Sequence, residues 1–268
     1  ASDSAGAEVT GIRADFGIST FRNNMVALGA GISSAIGAAA TNAGTVGING
    51  IVDGQGGTNT FWHNSVYIGG APTAGAGSSY AFNGVQTGST RSFRDNVFWN
   101  ARTNAGATGK NYAIKINGTA PNPSGLTLNN NVYFANAAGG VFGFFNSLDV
   151  PDLGAWKIAV GQDAASIEGH PQYNDPTAVT PDLHIHPTNP TVVDGNGVDP
   201  GVADDFDGQT RSGLTPVDIG ADAGNFVAID LTSPSIVYTP LRNTAQTSNR
   251  VLSATITDGV SGVPVAGP

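Results

Sequence analysis

From residue 15 to residue 146 apolar and polar positions alternate over runs of only four to six residues, and the runs end at Asn or Gly. Alternation with period two predicts strands, and the Asn and Gly positions predict tight turns between them. The runs fall into two recurring registers. FRNNMVA (21–27), FWHNSVY (61–67), FRDNVFW (93–99) and LNNNVYF (128–134) share an apolar first position, Phe21, Phe61, Phe93 and Leu128. They share asparagine at the fourth, Asn24, Asn64, Asn96 and Asn131, spaced by 40, 32 and 35 residues. Their sixth position is apolar: Val26, Val66, Phe98 and Tyr133. The second register lies between these, as VGINGI (46–51), YAFNGV (80–85), YAIKINGT (112–119) and, more loosely, VFGFFNS (141–147).

A period of about 33 residues with at least two strands in each predicts a solenoid or a propeller. No 3.6-residue apolar stripe runs through these units, so helical repeats are excluded. A propeller blade needs four strands per unit, which fits less well than a parallel β-helix. The expected fold is therefore all-β: a right-handed parallel β-helix, with one short helix towards its C-terminal end and a partial sandwich-like tail. In such a stack Asn24, Asn64, Asn96 and Asn131 form a ladder, each at a bend where asparagine tolerates left-handed backbone. His63 occupies the position of Asn23, Asp95 and Asn130, which is polar in general, so its reading is structural. Trp62 aligns with Arg22, Arg94 and Asn129, and Tyr67 with Trp99 and Phe134. The alternation turns these rings outward, which makes Trp62, Tyr67 and Trp99 candidate glycan contacts.

Composition agrees with many turns and few helices. The chain has 38 glycines, and aspartate outnumbers glutamate eighteen to two. A net charge of −9 with only three lysines, and no basic patch, excludes nucleic acid and anionic membrane surfaces as partners. Cysteine is absent, so neither disulfides nor thiolate–metal sites contribute. No apolar run reaches the roughly 18 residues of a membrane span, and ASDSAGAEVTG has neither the basic start nor the apolar stretch of a signal peptide. That same segment is poorly suited to covering an end of the stack. The first coil, near Phe16 and Phe21, is therefore expected to stack on an earlier coil, a preceding domain or another copy.

The pattern changes after residue 146. Leu153, Trp156 and Val160 share a helical face, with Asp149 or Asp152 as cap, Pro151 in the first turn and Gly161 as stop. The stretches WKIAVGQDAAS (156–166), HPQYND (170–175), PDLHIHPTNPTVVDGNG (181–197) and DDFDGQTRSGLTPVDIGADAG (204–224) resemble the closing region of bacterial right-handed β-helix proteins of the pectin lyase-like superfamily. Asp205, Asp207, Gly208, Arg211, Asp218, Ile219, Gly220 and Ala221 match the closing pattern of that family, whereas Asp222 and Ala223 replace its usual aromatic and Glu. The resemblance covers roughly residues 15–226. It implies a β-helix over 1–228, with repeats at about 15–146 and a closing region at 147–228. Residues 229–268 resemble a linker and the opening strands of an incomplete immunoglobulin-like module, an arrangement found in giant surface proteins of Bacteroidota. The implied setting is secreted or on the cell surface, with neighbouring domains of the same long chain or further copies of it as partners.

The repeats give little sign of chemistry. A hydrolase of this fold needs two or three carboxylates on adjacent coils, and residues 21–146 hold only Asp53 and Asp95, in different registers. A lyase needs a basic group beside an acidic cluster, and Lys115 and Arg94 have none near them in the pattern. His184 and His186 alternate on one strand face and could share a metal with a third ligand, but the outer face of a strand is the plainer reading. Asp194, Asn196, Asp199 and Asp204, in a Gly-rich loop, are the candidate calcium ligands. The competing expectation is that Asp205, Asp207 and Asp218 pin Arg211 and close the end of the stack. The function expected is a non-catalytic stalk, adhesin or filament segment. The alternatives are a glycan-binding module and a polysaccharide lyase or hydrolase.

Overall fold

The computed structural model describes residues 8–29, 46–72, 75–104, 108–214, 216–230, 233–245 and 247–258. The chain divides into two compact parts, Ala1–Ala228 and Ile229–Pro268. The first is built in tiers of three strands. The first tier is β1 (Val9–Asp15), β2 (Ile18–Arg22) and β3 (Met25–Leu28). The second is β4 (Val46–Gln55), β5 (Thr58–Trp62) and β6 (Ser65–Ile68). The third is β7 (Ser78–Gly84), β8 (Arg91–Arg94) and β9 (Val97–Asn100), and the fourth β10 (Asn111–Ile116), β11 (Leu126–Asn129) and β12 (Val132–Phe134). Strands of equal rank pair in parallel from tier to tier, so one sheet runs β1-β4-β7-β10, the next β2-β5-β8-β11 and the third β3-β6-β9-β12. β13 (Gly140–Phe145) extends the first sheet and β15 (Ile167–Glu168) the third.

Register follows the sequence repeat position by position. Phe21 pairs with Phe61, Phe61 with Phe93 and Phe93 with Leu128. Stacking identical side chains in line lets rings meet face to face. Phe21 and Phe61 do so, with centroids 4.9 Å apart and planes 9° from parallel. Phe61, Phe82, Phe93, Phe98, Ile48, Ile51 and Val66 have no exposed surface and fill one core between the three sheets.

The core is closed at the last tier. β13 turns back into the antiparallel β14 (Leu148–Val150), and α1 (Leu153–Val160) follows. Asp152, not Asp149, caps α1 by accepting the Ala155 amide, Pro151 lies just before the cap, and Gly161 ends the helix in left-handed backbone. Trp156 is fully buried against Phe142 and Phe145. Gly143 is required there, because a Cβ would stand 2.7 Å from the indole. The Trp156 Nε1 donates to Asp163 Oδ2, which also accepts the Tyr133 hydroxyl.

Residues 170–226 pack on the outer face of the third sheet, pairing β16 (Tyr173–Asp175) with β17 (Asp182–Ile185), and β18 (Pro190–Thr191) with β19 (Val227–Ala228). Tyr173, Leu183, Ile185, Val192, Val193 and Ile219 form a second apolar core there with Tyr67, Val97, Trp99 and Val132. Among its described residues the second part of the chain, taken alone, holds one antiparallel pair, β20 (Ser235–Tyr238) and β21 (Ala254–Thr257), whose residues are all exposed.

Candidate functional site

The bend between the second and third strand of each tier concentrates the polar chemistry of the chain. It spans two residues with separate tasks. The left-handed backbone falls on Asn23, His63, Asp95 and Asn130, at φ between 51° and 56°. It does not fall on the ladder asparagines that follow, where the sequence pattern had placed it. The reason is steric: the turn is made by one residue, and the next must leave the corner extended so that its side chain points along the stack.

The ladder asparagines use that direction. Asn64 accepts at Oδ1 from the backbone and side-chain amides of Asn24, at 3.2 and 2.8 Å. Asn96 accepts in the same way from Asn64, and Asn131 from Asn96. The second amide hydrogen turns back to a carbonyl of the preceding tier, Phe61 for Asn96 and Phe93 for Asn131. The column ends where Asn131 donates its backbone N–H to Ser166 Oγ, which in turn donates to Asp163.

The corner residues point the other way and clasp the closing segment. Asn23 Nδ2 donates to the Asp204 carbonyl at 2.6 Å. Asp95 accepts the Val198 amide at Oδ1, and Asn130 donates to the Asn196 carbonyl. His63 is fully buried between them, with its ring against the backbone of Asp218 and Gly220 in the closing segment. Burial, and after it the charge of Arg211, hold its pKa down to about 3. This column explains why the third position of the septet is polar throughout, including the histidine. A sequence cue existed in that shared polarity, but the partners lie 66 to 181 residues downstream.

Arg211 is the hub of the closing segment. Its guanidinium donates to the carbonyls of Asp204, Gly220 and Ala221 and to Asn23 Oδ1. The expected direct pairs with Asp205, Asp207 and Asp218 do not form: none of these carboxylates lies within 4 Å of it. Two of them hold backbone instead, Asp205 the amides of Asp207, Gln209 and Ala223, and Asp218 those of Gly195 and Gly224, while Asp207 meets the His184 ring. A buried guanidinium fixed by carbonyls places one charge among acids that are turning loops, and its attraction to them acts at longer range. Burial drives the acids towards neutrality, raising Asp95 and Asp218 to about 7 and Asp222 to about 6. Backbone amides oppose the shift in all three.

The candidate calcium ligands Asp194, Asn196, Asp199 and Asp204 do not form the carboxylate cluster. Asn196 turns onto the Val192 and Asp194 carbonyls, and Asp199 accepts the Gly201 amide. The carboxylates that converge are Asp205, Asp207 and Asp222, with one oxygen of each within 4.8 Å of the others. Each of these carboxylates already accepts a hydrogen bond: three amides on Asp205, the Ile185 amide on Asp222 Oδ2, and the His184 ring against Asp207 Oδ2. The cluster is therefore satisfied as a loop lock. His184 bonds Asp182 and Asp207, while His186 engages Thr188, so the two do not share a ligand.

The candidate glycan contacts are also redistributed. Tyr67 and Trp99 point away from the first core, but the closing segment covers them: Trp99 lies edge-on to His170, 4.4 Å between centroids, and packs on Tyr173. Only Trp62 keeps an open side, and its Nε1 donates to Ser92 Oγ. The two carboxylates of residues 21–146 are both interior. Asp53 is bonded by Asn59 and Gln86 beside the buried Arg91.

On the first sheet a hollow of about 370 Å³ is lined by Ser78, Thr108, Lys110, Tyr112, Phe144 and Asp149, among others. The Tyr112 hydroxyl donates to Asp149 Oδ1 at 2.9 Å, Lys110 pairs with Asp149, and Phe144 stands edge-on to Tyr112. No protein-family model, curated protein or solved structure matches the chain.

Proposed function

We propose that the larger part of the chain is a right-handed parallel β-helix of the pectin lyase-like kind, serving as a non-catalytic structural or adhesive segment of a large extracellular or cell-surface protein. The asparagine column carries this reading, since one unbroken hydrogen-bond line ties all four tiers through equivalent bends. The right hand follows from the strong preference of parallel crossovers. Further support comes from Asp53 and Asp95, which are both fully buried and engaged within the chain. The antiparallel pair of residues 229–268 is then the opening of an immunoglobulin-like module.

Two measurements test the reading. Antibody against this chain should label intact, unpermeabilised cells that express the whole protein. The purified chain should release no new reducing ends from a panel of acidic and neutral polysaccharides. Labelling only after permeabilisation overturns the location, and turnover that is lost in Asp53→Asn or Asp95→Asn overturns the non-catalytic role.

A second reading, glycan binding, is favoured by the hollow beside Tyr112. Its volume lies within the range of small-ligand sites, and it combines an aromatic wall with hydroxyl, ammonium and carboxylate groups. A glycan array probed with the parent and with Phe144→Ala separates the readings: binding by the parent that the variant loses supports this one.

A further inference from the structure

We infer that the outer face of β1–β3 is a stacking interface, and that its occupant is another tier of parallel strands carrying an asparagine in register with Asn24. That tier runs in the same direction as β1–β3 and stands ahead of them in the stack. The inference rests on the parallel β-helix reading and adds a partner to it.

Three observations meet at this face. Among the described residues, each of β1, β2 and β3 pairs on one side only, at the end of its sheet. Three parallel strand edges therefore lie open together, a feature that folded proteins normally cover. The core is also cut open there. Ile12, Phe21 and Val26 are half-buried, while their register partners one tier on, Ile51, Phe61 and Val66, have no exposed surface. At the adjoining bend Phe16 is 63% exposed and Ile18 88%. Finally, the ladder is incomplete. The Oδ1 atoms of Asn64, Asn96 and Asn131 each accept a backbone and a side-chain amide from the tier before. Among the described residues nothing donates to Asn24 Oδ1, although Asn24 itself donates onward to Asn64.

The ladder selects the occupant. Its direction is fixed, with donors on the earlier tier and the acceptor on the later one. Two copies brought together by their first tiers would set Asn24 Oδ1 against Asn24 Oδ1, acceptor against acceptor. The opposite end of a copy offers nothing better. There Asn131 spends its backbone donor on Ser166, the β13–β14 hairpin is antiparallel, and Trp156 seals the core. What fits is a tier running in the same direction with a free asparagine amide. In every tier present the chain passes from the third strand into the first strand of the next, so the fitting tier stands ahead of β1–β3.

The test adds such a tier to the full chain, as a copy of residues 46–78 replacing residues 1–8 directly before Val9. The expected result is a rise in melting temperature of roughly 4 °C or more. Amide hydrogen exchange in β1–β3 should also slow to the rate of β4–β6. The same addition with leucine at the copied Asn64 position should lose most of the rise. An unchanged or lower melting temperature, with β1–β3 exchanging as before, overturns the inference. Light scattering of the parent that shows a concentration-dependent dimer, dispersed by Phe21→Asp, assigns the face to a second copy and overturns the stated occupant. Melting of Asn96→Leu keeps the two levels apart: if that variant is destabilised while the added tier has no effect, the stacked-tier reading stands and this inference alone falls.

Discussion

Replacing Asn96 by leucine removes one rung of the ladder with little change in volume, so the cost is one of hydrogen bonding. The side chain makes four such bonds: two received from Asn64 and two donated, to the Phe61 carbonyl and to Asn131 Oδ1. It has no exposed surface, so water cannot replace any of them. Leucine leaves the Asn64 backbone N–H without its acceptor and the Phe61 carbonyl without this donor, whereas Asn131 Oδ1 keeps the Asn96 backbone amide. Two buried backbone groups at about 1–3 kcal/mol each give a loss of roughly 2–6 kcal/mol. For a domain of this size that corresponds to a fall in melting temperature of about 4–24 °C. Asn24→Leu is the internal control. It is half-buried, and Asn64 Oδ1 keeps the Asn24 backbone amide after the change, so the loss should be about 1 kcal/mol. Thermal and urea unfolding followed by circular dichroism measure both. Equal losses at the two positions, or an Asn96→Leu protein that melts with the parent, would refute the argument that the buried rungs hold the tiers together.

Trp156→Ala should cost about 3–5 kcal/mol in urea unfolding, because it opens the sealed end and removes a donor from Asp163. Stability should rise as pH falls from about 8 to about 5. Asp95 and Asp218, raised to about 7, and Asp222, raised to about 6, take up protons in the folded chain before the unfolded one does. Their contribution is complete below the unfolded carboxylate range and is lost as pH rises through those values. His63, held at about 3, and His170, also lowered by burial, act in the opposite sense below their ordinary value, while Asp53 and Asp163, raised by burial, add to the three. Melting temperatures across that range should follow this slope, and Asp218→Asn should flatten it. Chelator and millimolar calcium should both leave the melting temperature unchanged, since Asp205, Asp207 and Asp222 each already accept a hydrogen bond within the chain. A rise with calcium would make that cluster a metal site.

Period-two alternation, the recurring asparagine and the single 3.6-residue stripe lie in contiguous residues, and they were enough to place the strands, the ladder column and α1. These features are local: a strand or helix declares its inner face through its own neighbours in sequence. Whether the other face meets water is not local. Alternation turned Tyr67 and Trp99 outward correctly, yet their burial depends on Tyr173, Leu183 and Ile219, contributed by a segment that folds back from far along the chain. The same distance hid the corner column. Asn23, Asp95 and Asn130 carry polarity in sequence, but only the folded chain brings them to Asp204, Val198 and Asn196. Arg211 shows a related limit. Opposite charges close in sequence suggested direct pairs, and the structure satisfies the guanidinium with carbonyls while the acids hold amides, because buried loop backbone had the greater unmet demand for hydrogen bonds. The repeat thus wrote the stack into the sequence, and what covers each face of that stack was decided only by tertiary contact.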